Sequence, residues 1–244
     1  YFDRHPPVSN VGRAKYALAL ARAGDPRAAE WAVKAWRGGP ILEADENAIL
    51  GAFGHIFTAA DHDTRMGALI AVGATNGANR QLPRVSEGRR AGFEAALAMR
   101  TKSPDAASLA AYAPPSAMQD PAFVAERAKF MAGEGDVWGA RSMLATRPPL
   151  AYPPANPESW YEMLAFSATK SAEGGRYDLA YGIANQLDDG LPAGMDVSTA
   201  SFSVRDDYTT LAWLGGRAAL LELGRPQDAI GMFARYGDAA KSPQ

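Results

Sequence analysis

The sequence contains no cysteine. That absence removes disulfides, thiol nucleophiles and thiolate metal sites together. It leaves the compartment open, because a cysteine-free chain suits the cytoplasm and the periplasm equally. Long hydrophobic runs are missing too, and none approaches the length that spans a bilayer, so an integral membrane protein is not expected. Charge of one sign is scarce: 25 Lys and Arg against 27 Asp and Glu leave a formal net charge of −2. No basic excess exists to neutralise a phosphate backbone, and nucleic acid is therefore not an expected partner. The densest basic run, Arg80, Arg84, Arg89 and Arg90, has Glu87 and Glu94 beside it. A solvated helix face accounts for it better than an anionic-polymer site, for which Arg84 and Arg89 are the weak candidates. Alternating β-branched runs are nearly absent as well. What is present is alanine, leucine, arginine and glutamate, within a chain that is 47% hydrophobic. That composition predicts a folded, all-α protein with a substantial core.

The helical segments come in pairs joined by glycine-bearing turns. Arg13 to Ala23 runs into Gly24-Asp25-Pro26, and a second helix carries Ala29, Trp31 and Trp36. Pro26 suits a first helical position, where its missing N–H costs nothing. Phe123 to Met131 leads through Gly133 and Gly135 to Ala140 and Leu144. Trp160 to Ala172 leads through Gly174-Gly175 to Ala180 and Ile183, and Leu211 to Leu223 through Gly224 to Ala229 and Phe233. A small residue soon after each turn lets the paired helices approach closely. Ala140, Ala180 and Ala229 recur about 40 to 50 residues apart, in the range of helical-pair solenoids. The expected architecture is a superhelical array of antiparallel helix pairs, an arc or partial ring, over residues 1–244 as one domain. The stretches from Pro114-Pro115 to Asp120-Pro121 and from Pro148 to Pro157 predict extended connectors. Leu187 to Ser203 predicts a long loop.

No catalytic or cofactor constellation stands out. His5, His55 and His62 are the only histidines, and no H-x-x-x-H spacing places two on one helix face, so no metal or other cofactor is expected. No phosphate-cradling glycine loop or G-x-S-x-G appears; Gly88 and Gly92 suit helix packing. The tryptophans at 31, 36, 138, 160 and 213 could stack on sugar rings if exposed, but core positions are the commoner fate. Trp36, beside Gly38-Gly39, is the best exposed candidate.

The most informative stretch runs from Glu43 to Leu69. Ile49, Leu50, Phe53 and Ile56 or Phe57 form an apolar stripe at helical spacing. Asp61-His62-Asp63-Thr64-Arg65 then opens a further helix, with Asp61 at the expected N-cap. Asp61 and Arg65, at i, i+4, are expected to form an ion pair, which makes Asp61, His62 and Arg65 a structural cluster.

The acidic helix, its stripe and the D-H-D-x-R junction together resemble the α-superhelical domain of bacterial soluble lytic murein transglycosylases. Trp36-Arg37-Gly38-Gly39 is similar to that family's tryptophan-glycine lead-in. Asp120-Pro121 with Arg127 and Phe130 resembles its D-P-x-x-x-x-x-R pattern, and Pro157 with Trp160-Tyr161-Glu162 its paired-aromatic segment. Ala180-Tyr181 and the segment Leu211-Ala212-Trp213-Leu214-Gly215 to Arg217 fit its later helices.

The resemblance implies a periplasmic protein whose helical part holds or guides peptidoglycan glycan strands. It further implies a lysozyme-like catalytic domain C-terminal to the present chain. The parent reaction would be non-hydrolytic cleavage to a 1,6-anhydro product. The family's catalytic glutamate-serine pair with its glycine-alanine and G-L-M-Q sequences is not matched here. Glu158-Ser159 is the only Glu-Ser step, and it is followed by Trp160-Tyr161-Glu162. No catalytic residue is assigned. The chain begins at Tyr1 and ends at Ser242-Pro243-Gln244, which reads as a processed or truncated piece. The alternative function is a stand-alone helical-repeat scaffold that binds a protein partner. A helical enzyme with an unrecognised site is a third.

Overall fold

The computed structural model describes residue 2 and residues 4–240. Among these the chain is all-α, with thirteen α-helices and no strand. Its contacts divide into two compact units that meet in sequence at Ala113 and Pro114, on the first proline pair.

In the first unit, α1 (Asn10–Arg22) and α2 (Ala28–Arg37) form a pair, and α3 (Glu43–Phe53) packs on α1. The helix α4 (Ala59–Ala71) packs on α2, on the short α5 (Thr75–Gln81) and on α6 (Glu87–Thr101), which is followed by α7 (Ala106–Tyr112). Alanines line the α1–α2 contact: Ala14, Ala17, Ala32 and Ala35 are fully buried. Tyr16, Leu20, Trp36, Ile49 and Phe53 complete that core. The predicted stripe on α3 holds at Ile49 and Phe53, whereas Leu50 is half-buried. The helix ends at Phe53, so Ile56 and Phe57 lie in and after a 3₁₀ turn rather than on its face.

The second unit is built from α8 (Pro121–Gly133) with α9 (Val137–Thr146), α10 (Pro157–Glu173) with α11 (Tyr177–Ala184), and α12 (Phe202–Arg217) with α13 (Pro226–Ala239). Each pair packs on the next, through α9 against α11 and α10 against α12. Side chains at the helix starts satisfy N–H groups that a helix cannot pair itself. Asp120, Asp136, Asn156 and Ser201 cap α8, α9, α10 and α12 in this way. The glycines in the turns are required: Gly24, Gly135, Gly175 and Gly224 all have left-handed φ, from 62° to 93°. The predicted alanines Ala140, Ala180 and Ala229 are buried, and some approaches between helices are tighter still. A Cβ on Gly182 would lie 2.9 Å from the Ala145 methyl, so α9 and α11 meet there only because the side chain is absent.

The Leu187–Ser203 connection is more structured than a free loop. Two 3₁₀ turns, Leu187–Gly190 and Val197–Thr199, bury Leu187 and Val197 in the core around Trp160, Tyr161 and Leu164. Gly92 is buried on α6, as a packing glycine should be, but Gly88 is exposed and a Cβ there would point into open space. No helix among the described residues is long and apolar enough to cross a membrane.

Candidate functional site

The helix α4 carries three charged side chains that are buried, Asp61, Asp63 and Arg65. Burying a charge is costly unless it is paired and hydrogen-bonded. Each finds its partner on a different element.

Asp61 occupies the third helical position, not the cap. Thr58 is the N-cap, and the two form a reciprocal capping box. The Thr58 N–H and hydroxyl each donate to Asp61 Oδ2 at 2.7 Å, and the Asp61 N–H returns to Thr58 Oγ1 at 3.2 Å. Asp61 Oδ1 accepts from Arg37 Nε at the end of α2. Burial pushes the Asp61 carboxyl upward, but the Thr58 bonds and Arg37 outweigh it and hold the group below its ordinary value. Asp63 serves the next helix. Its carboxylate accepts from the Ser86 N–H at 2.8 Å and hydroxyl at 2.7 Å, at the start of α6, and pairs with Arg89 at 3.4 Å.

Arg65 does not pair with Asp61, contrary to the i, i+4 expectation. The capping box turns the Asp61 carboxylate back toward Thr58, while Arg65 extends to α3. Its Nη2 donates to Glu46 Oε2 at 3.1 Å, and its Nη1 donates to the carbonyls of Trp36 and Gly39. The guanidinium lies over the Trp36 ring, 4.1 Å from its centroid. Glu46 is shared: Arg80 Nη2 donates to the same Oε2 at 2.9 Å, while Arg80 Nη1 pairs with Glu43 at 3.4 Å. Burial draws the Arg65 guanidinium down to about 10, partly opposed by Glu46 and reinforced by the positive charges of Arg80 and Arg84.

Trp36 is fully buried, which overturns its candidacy as an exposed sugar platform. Its ring stacks on Phe57 at 4.9 Å and takes the edge of His62 at 5.7 Å. The Trp36 Nε1–H points at His62 Nδ1 at 3.2 Å. An indole N–H can only donate, so Nδ1 must be the acceptor and His62 is neutral with its proton on Nε2. Burial lowers the His62 imidazole below its ordinary value, and the Arg84 charge acts in the same sense. Gln81 completes the cluster, with Nε2 3.0 Å from the His62 carbonyl.

The structure thus brings Trp36, Asp61, His62 and Arg65 together. Arg89 joins them through Asp63 and lies over the Phe93 ring at 4.6 Å. Arg84 is exposed and donates back to the Arg80 carbonyl. A cleft of about 250 Å³ opens beside Arg65, Arg80 and Glu46. Gln81, which no sequence pattern singles out, and Glu46 carry much of this, with Arg80 from the basic run and Arg37 from the segment after Trp36. Glu46 had a legible signal, since it repeats four and seven positions before Leu50 and Phe53 on the stripe side of α3.

Glu158, the sole Glu-Ser glutamate, is exposed in the first turn of α10 and accepts from the Ser201 hydroxyl at 2.8 Å. Nothing in that contact resembles a buried general acid. Among the described residues no group of three or more histidines, aspartates or glutamates is placed to hold a metal ion. Trp31 is half-buried and Trp160 buried, whereas Trp138 and Trp213 are 45% and 49% exposed. No protein-family model matches the chain, and no curated protein or solved structure is significantly similar to it.

Proposed function

We propose that this chain is the non-catalytic superhelical portion of a periplasmic peptidoglycan lytic transglycosylase, holding or guiding glycan strands for a catalytic domain C-terminal to it. The observation that carries the reading is the ordered series of motifs from Trp36-Arg37-Gly38-Gly39 through Asp61-His62-Asp63-Thr64-Arg65 and Asp120-Pro121 to Leu211–Arg217. The stacking of pair upon pair in the second unit supports it, because that packing is what a superhelix repeats. Trp138 and Trp213 are the two tryptophans with substantial exposed surface, Trp138 beside Arg141 and Arg176 and Trp213 beside Phe233 and Tyr236.

Co-sedimentation with purified sacculi tests this reading. The wild-type chain is expected to pellet with the sacculi, and Trp138→Ala with Trp213→Ala to weaken retention. A chain that stays in the supernatant at low salt refutes it. The chain alone is expected to release no anhydro-muropeptides; their appearance, abolished by Glu158→Gln, would overturn the non-catalytic assignment. The second reading is a helical-repeat scaffold for a protein partner. It is favoured by the exposed apolar side chains Leu220, Leu221 and Ile230 near the last helix pair.

A further inference from the structure

In the second unit a cleft of about 190 Å³ lies between the end of α12 and the residues where α10 turns into α11. Tyr177, Leu214 and Leu221 give it an apolar wall, and its charged lining comes from Arg217 and Glu222. The two charges share the cleft because the helix is irregular there. After Arg217 the chain passes through a π-helical turn, Ala218–Glu222, and the Leu223 N–H donates back to the Ala218 carbonyl at 3.0 Å. A wide turn of this kind brings residues five apart toward one face, whereas at 3.6 residues per turn they would lie on different faces. Such turns are rare and recur at functional sites.

Neither charge is used in holding the fold. Both residues are exposed, and among the described residues neither Arg217 nor Glu222 has a side-chain hydrogen bond or ion pair. The charges flanking Ala172 and Tyr177 are committed to one another: Lys170 pairs with Glu173 at 2.6 Å and Arg176 with Asp178 at 2.8 Å. The cleft therefore presents one open guanidinium and one open carboxylate beside an apolar wall. A simple anion would satisfy the first and be repelled by the second, and a simple cation the reverse. A zwitterion satisfies both, and since an exposed charge pair is weak by itself, selectivity rests on engaging the two together. At roughly 30 Å³ per water the cleft holds the equivalent of about six waters, room for a single amino acid. We propose that this cleft binds a free α-amino acid with an apolar side chain, its carboxylate on Arg217, its ammonium on Glu222 and its side chain against Leu214 and Leu221.

A nuclear magnetic resonance titration of the full isotope-labelled chain tests this. The amide signals from Leu214 to Glu222 should shift saturably with L-leucine or D-leucine. A preference for one hand identifies the source, protein for L and cell-wall peptide for D. N-acetyl-leucine lacks the ammonium and leucinamide lacks the carboxylate, so each should bind about tenfold or more weakly, the loss of one charge-assisted contact. Glycine, with no apolar body, should also bind more weakly than leucine. Arg217→Gln should make leucine and leucinamide bind alike, and Glu222→Gln should do the same for leucine and N-acetyl-leucine. Both changes fall on exposed side chains without partners, so the fold should survive, and a purely structural role would not exchange selectivity in this reciprocal way. Arg22→Gln in the first unit should change nothing. Sedimentation with sacculi is a separate readout, so failure of the glycan-guiding reading would not be mistaken for failure of this one. No saturable shift, shifts confined to residues away from the cleft, equal binding of leucinamide by the wild type, or unaltered selectivity in either variant would each overturn the proposal.

Discussion

Arg65 and Arg147 are both arginines with no exposed side-chain surface, one in each unit, and their surroundings differ. Arg147 has a carboxylate to itself. It grips Asp189 in two parallel bonds of 2.6 and 3.0 Å, and its guanidinium lies 5.1 Å from the Trp160 ring centre. Asp189 stays 17% exposed and also accepts from the Leu150 N–H, which ties the Leu187–Gly190 turn to the segment after α9. Arg65 must share Glu46 with Arg80, and Glu46 is only 2% exposed. Each arginine leaves its Nε–H unpartnered, so that feature does not separate them. What separates them is the sharing of the carboxylate and its access to water. One-to-one pairing with a wet carboxylate is a clamp. Two arginines on one dry carboxylate, with Glu43 as the outer partner of Arg80, make a shared network.

Replacing the two arginines in turn puts the contrast to its hardest test. Arg65→Met leaves Glu46 buried with only Arg80 beside it, and breaking a buried pair costs about 3–5 kcal/mol. Arg147→Met leaves Asp189 within reach of water and of the Leu150 N–H, and the expected cost is nearer the roughly 1–3 kcal/mol of a lost charged hydrogen bond. Urea denaturation read by tryptophan fluorescence measures both. Equal losses would mean that the sharing of Glu46 has no energetic consequence. A stabilised Glu46→Leu/Arg65→Met double variant would show that the pair was a net cost, as hydrophobic replacement of buried pairs can be.

A smaller effect is expected at the other acid of α4. Asp61→Ala removes the capping box and the partner of Arg37. The Arg37 side chain is 53% exposed, so its charge is not stranded. The loss should stay within the roughly 0.5–2 kcal/mol of a helix cap, and Thr58→Ala should fall in the same range. The two changes should not add, because each deletes half of one reciprocal arrangement. Additive losses in thermal melts of the single and double variants would show that Arg37, rather than the cap, carries the contribution of Asp61.

The secondary structure was legible because helix pairing leaves local marks. Gly24, Gly135, Gly175 and Gly224 sit in the turns with left-handed φ, whereas the expected connector from Pro114 to Pro121 holds a 3₁₀ turn, and Asp120-Pro121 opens α8 as cap and first residue. The cluster at Asp61–Arg65 was legible as a structural cluster and misread in its pairing. Local spacing places Asp61 and Arg65 on one helix face, but Thr58 competes for the carboxylate at shorter range. The true partners, Arg37 and Glu46, stand 24 and 19 residues away in sequence, beyond any periodic signal. Trp36 was misjudged for a related reason. The adjacent Gly38-Gly39 suggested an open turn, yet those glycines allow the backbone to close in, so that the Gly39 carbonyl meets Arg65. Long-range ionic pairing was the part that no local pattern encoded.

The mildest test uses acidity, and it also falls unequally on the two units. All three histidines lie before Ala113, and His62 has a ring nitrogen committed to a buried donor, the Trp36 Nε1–H. Burial lowers its folded-state pKa below the ordinary imidazole value of about 6.5. Above about pH 6.5 both folded and unfolded chains hold a neutral His62, and the stability it contributes is complete. As pH falls below that value the unfolded chain takes up the proton first, so unfolding gains and stability declines. The decline levels off once pH passes the lower folded-state pKa. His62→Asn keeps an acceptor for Trp36 and removes the titration, so melts between pH 7 and 5 should fall less for the variant than for the wild type. Parallel curves for the two proteins would mean that His62 takes its proton in the folded state as readily as in the unfolded one. The Trp36 bond would then not fix its tautomer.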